Sequence, residues 1–167
     1  MTVFLYDTGA LIALERNEPE AHRFHERLVS RPGAHPPVVL VPVLAQAWRP
    51  RPGHWTPLAR ILPTCTLFAA DTGVPDCGVC HSGHTIDDAK RAGVGAARAT
   101  LPAKKRPDAV DALITVVAAR HEHAVILTSD PDDLCAYRDA LGGAGEGVAV
   151  LPVTSLAEFR SGKPTLL

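Results

Sequence analysis

VFLYDTGALIAL (residues 3–14) runs four apolar or aromatic residues into Asp7, passes Thr8 and Gly9, and resumes an apolar run. Val3–Tyr6 has little alternation, the pattern of a short strand covered on both faces. The residues after it read as a helix over 8–15, so the stretch is a strand turning directly into a helix. A carboxylate at that corner has two readings. Asp7 or Thr8 can cap the helix by accepting from a free backbone N–H. Alternatively, Asp7 is the first of several acids gathered round a metal ion, and the rest of the chain must then supply the partners.

The same strand-then-helix grammar recurs outward from this corner. Strands are expected at 3–6, 38–41, 66–70, 124–128 and 148–152, each short and apolar. Helices are expected at 8–15, 18–30, 42–48, 55–62, 86–99, 107–121 and 131–141. Pro19, Pro107 and Pro131 stand at plausible first helical positions. The helix over 107–121 is apolar on most sides from Ala112 to Ala119 and is expected to be buried. Alternating strands and helices imply a mostly parallel sheet with helices on both faces. Residues 71–85 (DTGVPDCGVCHSGHT) break the pattern, with no period and many Gly, Cys and His, and read as a long inserted loop.

A chain of 167 residues, 46% hydrophobic and 21% charged, fits one globular domain over 1–167. A net charge of −1 gives no global field toward nucleic acid or anionic membrane, although a local basic patch can still serve RNA. No apolar run approaches the roughly 18 residues of a membrane span, and no basic leader precedes the first strand. The expectation is a cytoplasmic protein without a membrane partner. Its four cysteines read as thiols or metal ligands rather than a disulfide framework.

In an open parallel sheet, ligands bind beyond the carboxyl ends of the strands, near the point where strand order reverses. Four acids are placed for that edge. Asp7 ends the first strand and Asp130 follows the strand at 124–128. Asp108 and Asp111, three apart, share a face at the head of the buried helix. Capping accounts for Asp7 and for Asp130 ahead of Pro131, and the helix dipole for Asp108. Asp111 is harder to account for, because an unpaired carboxylate at the head of an apolar helix is costly. Mg²⁺ or Mn²⁺ is a natural partner for converging carboxylates.

The ordered set VFLYDTGALIAL, VPVLAQAWR, DAVDALITVVAA and VILTSDPDDL resembles the PIN-domain nucleases, and among them the VapC-type toxins of toxin–antitoxin pairs. The resemblance spans nearly the whole chain. It implies a three-layer α/β/α sandwich with a mostly parallel sheet of four or five strands, in an order near 3-2-1-4-5. The ends of strands one and four are then neighbours, and Asp7 faces Asp130. It further implies Mg²⁺- or Mn²⁺-dependent cleavage of RNA, a homodimer, and silencing by a small antitoxin protein. By position, Asp7, Asp111 and Asp130 match three of the family's four acids, with Asp108 and Asp133 as auxiliaries. The chain departs at the fourth, where Gln46 stands in place of glutamate and removes one negative charge from the site. A non-catalytic RNA- or protein-binding module of the same fold is the alternative that this departure raises.

Other features are weaker. Lys104, Lys105 and Arg106 precede the Asp108/Asp111 helix, and Arg49 follows Gln46; they can steer phosphates, although a basic run is commonly just a solvated face. Cys77, Cys80, His81 and His84 offer soft and imidazole donors for a structural zinc ion, against a loop with chance spacing. Cys-x2-Cys-His is also the attachment pattern of c-type haem, which is not expected without export. A phosphoacceptor receiver domain lacks its paired acids and late lysine, and a dinucleotide-binding fold lacks its Gly-rich turn.

Overall fold

The computed structural model describes residues 1–48, 56–70, 83–101 and 105–158. The strands are β1 (Val3–Tyr6), β2 (Val38–Leu40), β3 (Thr66–Ala70), β4 (Gly83–His84), β5 (Ala124–Thr128) and β6 (Val148–Pro152). The helices are α1 (Thr8–Glu15), α2 (Pro19–Ser30), α3 (Val41–Ala47), α4 (Leu58–Ile61), α5 (Ile86–Arg98), α6 (Ala109–Ala118) and α7 (Pro131–Ala140). The six strands form one parallel sheet in the order β4-β3-β2-β1-β5-β6. The five expected strands are all present and stand in the expected order. The correction is a sixth, two-residue edge strand, β4, inside what the sequence reads as loop. Its two residues pair with Ala69 and Ala70, too short a run to leave a period in the sequence.

Chain direction explains the layers. From β1 the chain moves outward through β2 to β3, then returns to β5 on the other side of β1 and moves outward again to β6. Right-handed crossovers then put the helices of the two halves on opposite faces. Accordingly α2, α3 and α4 gather round α1, whereas α5, α6 and α7 pack on one another. The pleat of β1 serves both layers. Phe4 meets Phe24 of α2 edge to face, with ring centroids 5.6 Å apart, and the Tyr6 hydroxyl lies 3.1 Å from His25 Nδ1. Val3 and Leu5 point to the other face. As expected, α6 is buried from Ala112 to Ala118. It begins at Ala109 rather than 107, because Asp108 is its N-cap and lies outside the helical dihedrals. No helix among the described residues is long and apolar enough to cross a membrane.

Strand order reverses between β1 and β5, and these two strands run in register from Val3 beside Ala124 to Tyr6 beside Leu127. The Asp7 N–H extends the ladder by donating to the Leu127 carbonyl at 3.1 Å. The two strand-to-helix corners beyond it touch. A Cβ added at Gly9 would lie 2.0 Å from Ser129 Oγ and 2.8 Å from its backbone nitrogen. Only glycine permits this approach, which holds the corner carrying Asp7 against the corner carrying Asp130. Gly9→Ala is therefore expected to destabilise the protein by about 2 to 3 kcal/mol, whereas Gly93→Ala, which would meet nothing within 4 Å, is a tolerated control. Urea denaturation of the two variants checks this; equal midpoints would show that the corners are not in close contact.

Candidate functional site

Asp7 is both a cap and a member of a larger group. Its Oδ1 accepts from the Ala10 N–H at 2.7 Å, closing the first turn of α1. Its Oδ2 accepts from the Thr128 hydroxyl, and Thr128 Oγ1 in turn accepts from the Asp130 N–H at 2.8 Å. Asp7 as a whole is 5% exposed. Burial pushes its carboxyl up to about 6, against the lowering effect of the Thr128 and backbone hydrogen bonds and with a smaller push from the charge of Asp130.

Asp108 caps α6 through Oδ1, which accepts from the Val110 N–H at 2.7 Å and more weakly from that of Asp111. Its own N–H donates to the Tyr137 hydroxyl at 2.7 Å, so α7 holds the start of α6 in place. Asp111 sits one turn further in. Among the described residues its carboxylate accepts no hydrogen bond. Burial is the first cause that raises its carboxyl to about 7; the charges of Asp108, Asp7, Asp133 and Asp130 follow in that order. Asp111 thus feels all four of the other acids named from the sequence. Three separate elements, the corner after β1, the head of α6 and the corner leading into α7, deliver them to one edge.

Asp130 stands at the N-cap position of α7, yet its side chain makes no capping hydrogen bond. The capping reading of Asp130 is corrected: its carboxylate pairs instead with the Lys105 ammonium. Lys105 Nζ also lies 2.9 Å from Asp133 Oδ2. Asp133 is 6% exposed, and its Oδ1 is buried without a hydrogen-bond partner among the described residues.

Gln46 arrives from α3. Its Oε1 accepts from the Thr8 hydroxyl at 2.6 Å, and its Nε2 points at Asp108 Oδ2 from 3.4 Å. Gln46 thus belongs to the same cluster. As an amide it donates toward a carboxylate that a glutamate would repel. Gln46→Glu is expected to keep the Thr8 contact and add a charge beside Asp108. Mn²⁺ binding then tightens about fivefold to tenfold, about 1 to 1.4 kcal/mol, while the metal-free protein melts lower at pH 8 and unchanged at pH 4. Titration calorimetry and melting curves measure both; unaltered Mn²⁺ affinity would place residue 46 outside the ion's reach.

Thr128 and Tyr137 join the site without having been singled out from the sequence, and Thr8, read there as a possible helix cap, joins it as the donor to Gln46. Thr128 had a faint signal, a hydroxyl two residues before Asp130 at the end of an apolar strand. Tyr137 had one too, four residues after Asp133 and so on the same face of α7. Of the basic candidates, Lys105 is at the acids and Arg106 is exposed beside it, whereas Lys104 and Arg49 lie outside the described residues. Cys77, Cys80 and His81 also lie outside them. His84 is in β4, on the far edge of the sheet from β5, with its Nδ1 buried and without a partner among the described residues. Cys65 and Cys135 are free thiols.

The donors suit a hard cation. They are carboxylate oxygens, two of them raised in pKa first of all by burial, and one buried oxygen, Asp133 Oδ1, has no hydrogen-bond partner among the described residues. Among the described residues no three His, Cys, Asp or Glu side chains stand close enough to hold a metal by themselves. An ion held here would have to keep most of its water and take one or two protein carboxylates, as Mg²⁺ can.

Comparison of the chain with protein-family models, with curated proteins and with solved structures finds no match.

Proposed function

We propose that this protein is a metal-dependent endoribonuclease that hydrolyses RNA phosphodiesters, acting as a VapC-type toxin. The observation that carries the proposal is the placement of Asp111: a poorly solvated carboxylate, without a hydrogen bond among the described residues, set among four others at the reversal point of a parallel sheet. Structural acids are normally paired or capped. A carboxylate that feels the charge of four others is suited to recruit positive charge.

In this reading Asp7 and Asp111 hold the ion, and Asp108 and Gln46 orient its shell. Thr128 fixes the Asp7 carboxylate, and Tyr137 fixes the head of α6 through the Asp108 N–H. Bound there, Mg²⁺ or Mn²⁺ supplies an ionised water and positive charge against the scissile phosphate. Lys105 and Arg106 draw the RNA backbone to an edge that otherwise repels it. The cytoplasm, a homodimer and a small antitoxin complete the proposal on the strength of the resemblance.

The test is cleavage of labelled mixed RNA by the purified chain in Mn²⁺, beside a chelated sample and Asp111→Asn, all from a nuclease-deficient host. Cleavage lost in both controls supports the proposal; a folded, inert wild type removes it. One observation favours a second reading. Lys105 already neutralises part of the acidic edge and Gln46 carries no charge, which suits a non-catalytic module that binds RNA or protein. That reading requires wild type and Asp111→Asn to bind RNA equally and to leave it intact.

A further inference from the structure

Helix α5 keeps its acids in its first turn, where they suit the helix dipole. Asp88 there pairs with Arg120, and Asp87 is exposed. From Ala89 onward every charge on the helix is positive. Lys90, Arg91 and Arg98 are exposed, and none of them forms an ion pair among the described residues. Asp87 stands three and four positions before Lys90 and Arg91 and still pairs with neither. Arg98, in the last turn, complements the dipole; Lys90 and Arg91, in the body of the helix, have no such use.

These cations border a groove of about 300 Å³ between α5 and the end of α7, with Val94, Ala140 and Leu141 as its apolar lining. Gly95 helps to keep it open, since a Cβ there would stand 3.9 Å from Leu141 Cδ2 and occupy part of the space. Val94 is 50% exposed. A β-branched residue is a poorer helix former than alanine, so in the middle of a solvated helix face it costs stability and returns none unless something covers it. Both helices start at the carboxyl edge of the sheet and run away from it, which sets the groove beside the last turn of α7 apart from the acids.

Cations of one sign round an apolar floor complement carboxylates set round an apolar side chain. A second copy meeting this one across a two-fold would lay the patch against itself, like charge on like. An RNA backbone would satisfy the cations but not the floor, which has no aromatic side chain to stack a base. The volume is at the low end for ligand clefts and suits one or two side chains. We infer that the groove between α5 and α7 docks an acidic peptide segment of another protein, with an apolar side chain between Val94 and Leu141 and carboxylates on Lys90, Arg91 and Arg98. This goes beyond the ribonuclease reading and does not depend on it.

Selection of random displayed peptides on the full-length protein tests this, with the triple variant Lys90→Glu, Arg91→Glu, Arg98→Glu as the counter-target. Enriched peptides are expected to be acidic and to carry one or two large apolar residues. A labelled synthetic copy of the most enriched, followed by fluorescence anisotropy, is expected to bind the triple variant at least about tenfold more weakly than wild type and Val94→Ala about threefold more weakly. Its affinity is expected to fall with added salt. The altered side chains are exposed, and melting curves confirm that each variant is folded. No enrichment over the counter-target, enrichment without acidic bias, or equal affinity for the triple variant would overturn the inference. So would a labelled oligouridylate that displaces the peptide and prefers wild type to the triple variant, which would assign the groove to RNA. A wild-type dimer that the triple variant splits in sedimentation would overturn it in favour of a second copy.

Discussion

Asp7→Asn is expected to lower metal-dependent RNA cleavage by at least about a hundredfold and, in the same protein, to raise the stability of the metal-free form at pH 8. The two effects have one origin. Asparagine is as good an N-cap as aspartate, so its side-chain oxygen can keep the bond from the Ala10 N–H that closes α1. It removes the charge. Burial raises the Asp7 carboxyl from 3.8 to about 6, which means that the folded protein holds this proton more tightly than the unfolded chain does. As pH rises from about 4 through about 6, the unfolded chain loses the proton first and the wild type loses stability; above about 6 the penalty is fully present. A shift of about two units corresponds to about 3 kcal/mol, and losing the Thr128–carboxylate bond offsets part of it. The variant is thus expected to gain about 1 to 3 kcal/mol at pH 8 and nothing near pH 4. Chemical denaturation in chelator at the two pH values measures this. Asp7→Ala, lacking the cap, separates the contributions. If the asparagine variant is as destabilised as the alanine one at pH 8, the charge is structural, and Asp7 belongs to the helix rather than to a reaction.

The corner at residues 3–14 was legible because two local rules agree there: an unalternating strand and a helix start meet in one residue. The order of five strands was legible at the level of family resemblance, and parallel pairing was legible from element alternation alone. What the sequence could not carry was contact between distant corners. Nothing in the sequence marks Gly9 until Ser129 is placed against it. Asp130 satisfies every local criterion for a cap, with Pro131 behind it and acids following. It nonetheless gives its carboxylate to Lys105, twenty-five positions earlier in the chain, because a full ammonium is a stronger partner than a backbone N–H. Likewise the Lys104–Pro107 run reads as a solvated basic face; that one of its members bridges two acids depends on where α7 starts relative to α6. Edge strand β4 escaped for a different reason, since two residues cannot show a period of two. Gln46 is the opposite case: its departure from the family pattern was visible at once, and its partners Thr8 and Asp108 lie 38 and 62 residues away.

Metal affinity is expected to depend steeply on pH, and this is the sharpest consequence of the raised carboxyls. Asp7 at about 6 and Asp111 at about 7 are both largely protonated at pH 5 in the metal-free protein. An ion that takes both must displace two protons there, about one at pH 6.5 to 7, and almost none at pH 8. Affinity therefore rises with pH and levels off once both acids are ionised. With those two values the rise between pH 5 and pH 8 is about a thousandfold. Mn²⁺ at a hundred times its dissociation constant adds about 2.7 kcal/mol to stability, so an ion concentration that stabilises the protein strongly at pH 8 is expected to leave its melting temperature unmoved at pH 5. Calorimetry in buffers of different ionisation enthalpy counts the protons released. Asp111→Asn confines the dependence to Asp7: about tenfold over the same interval, with its midpoint about one pH unit lower. Burial is the first cause of both shifts, but the charges of the neighbouring acids add to Asp111, and a cation relieves both contributions at once. An affinity that ignores pH, or a slope that Asp111→Asn does not change, would mean that the ion binds elsewhere and that the five acids converge for some purpose other than holding it.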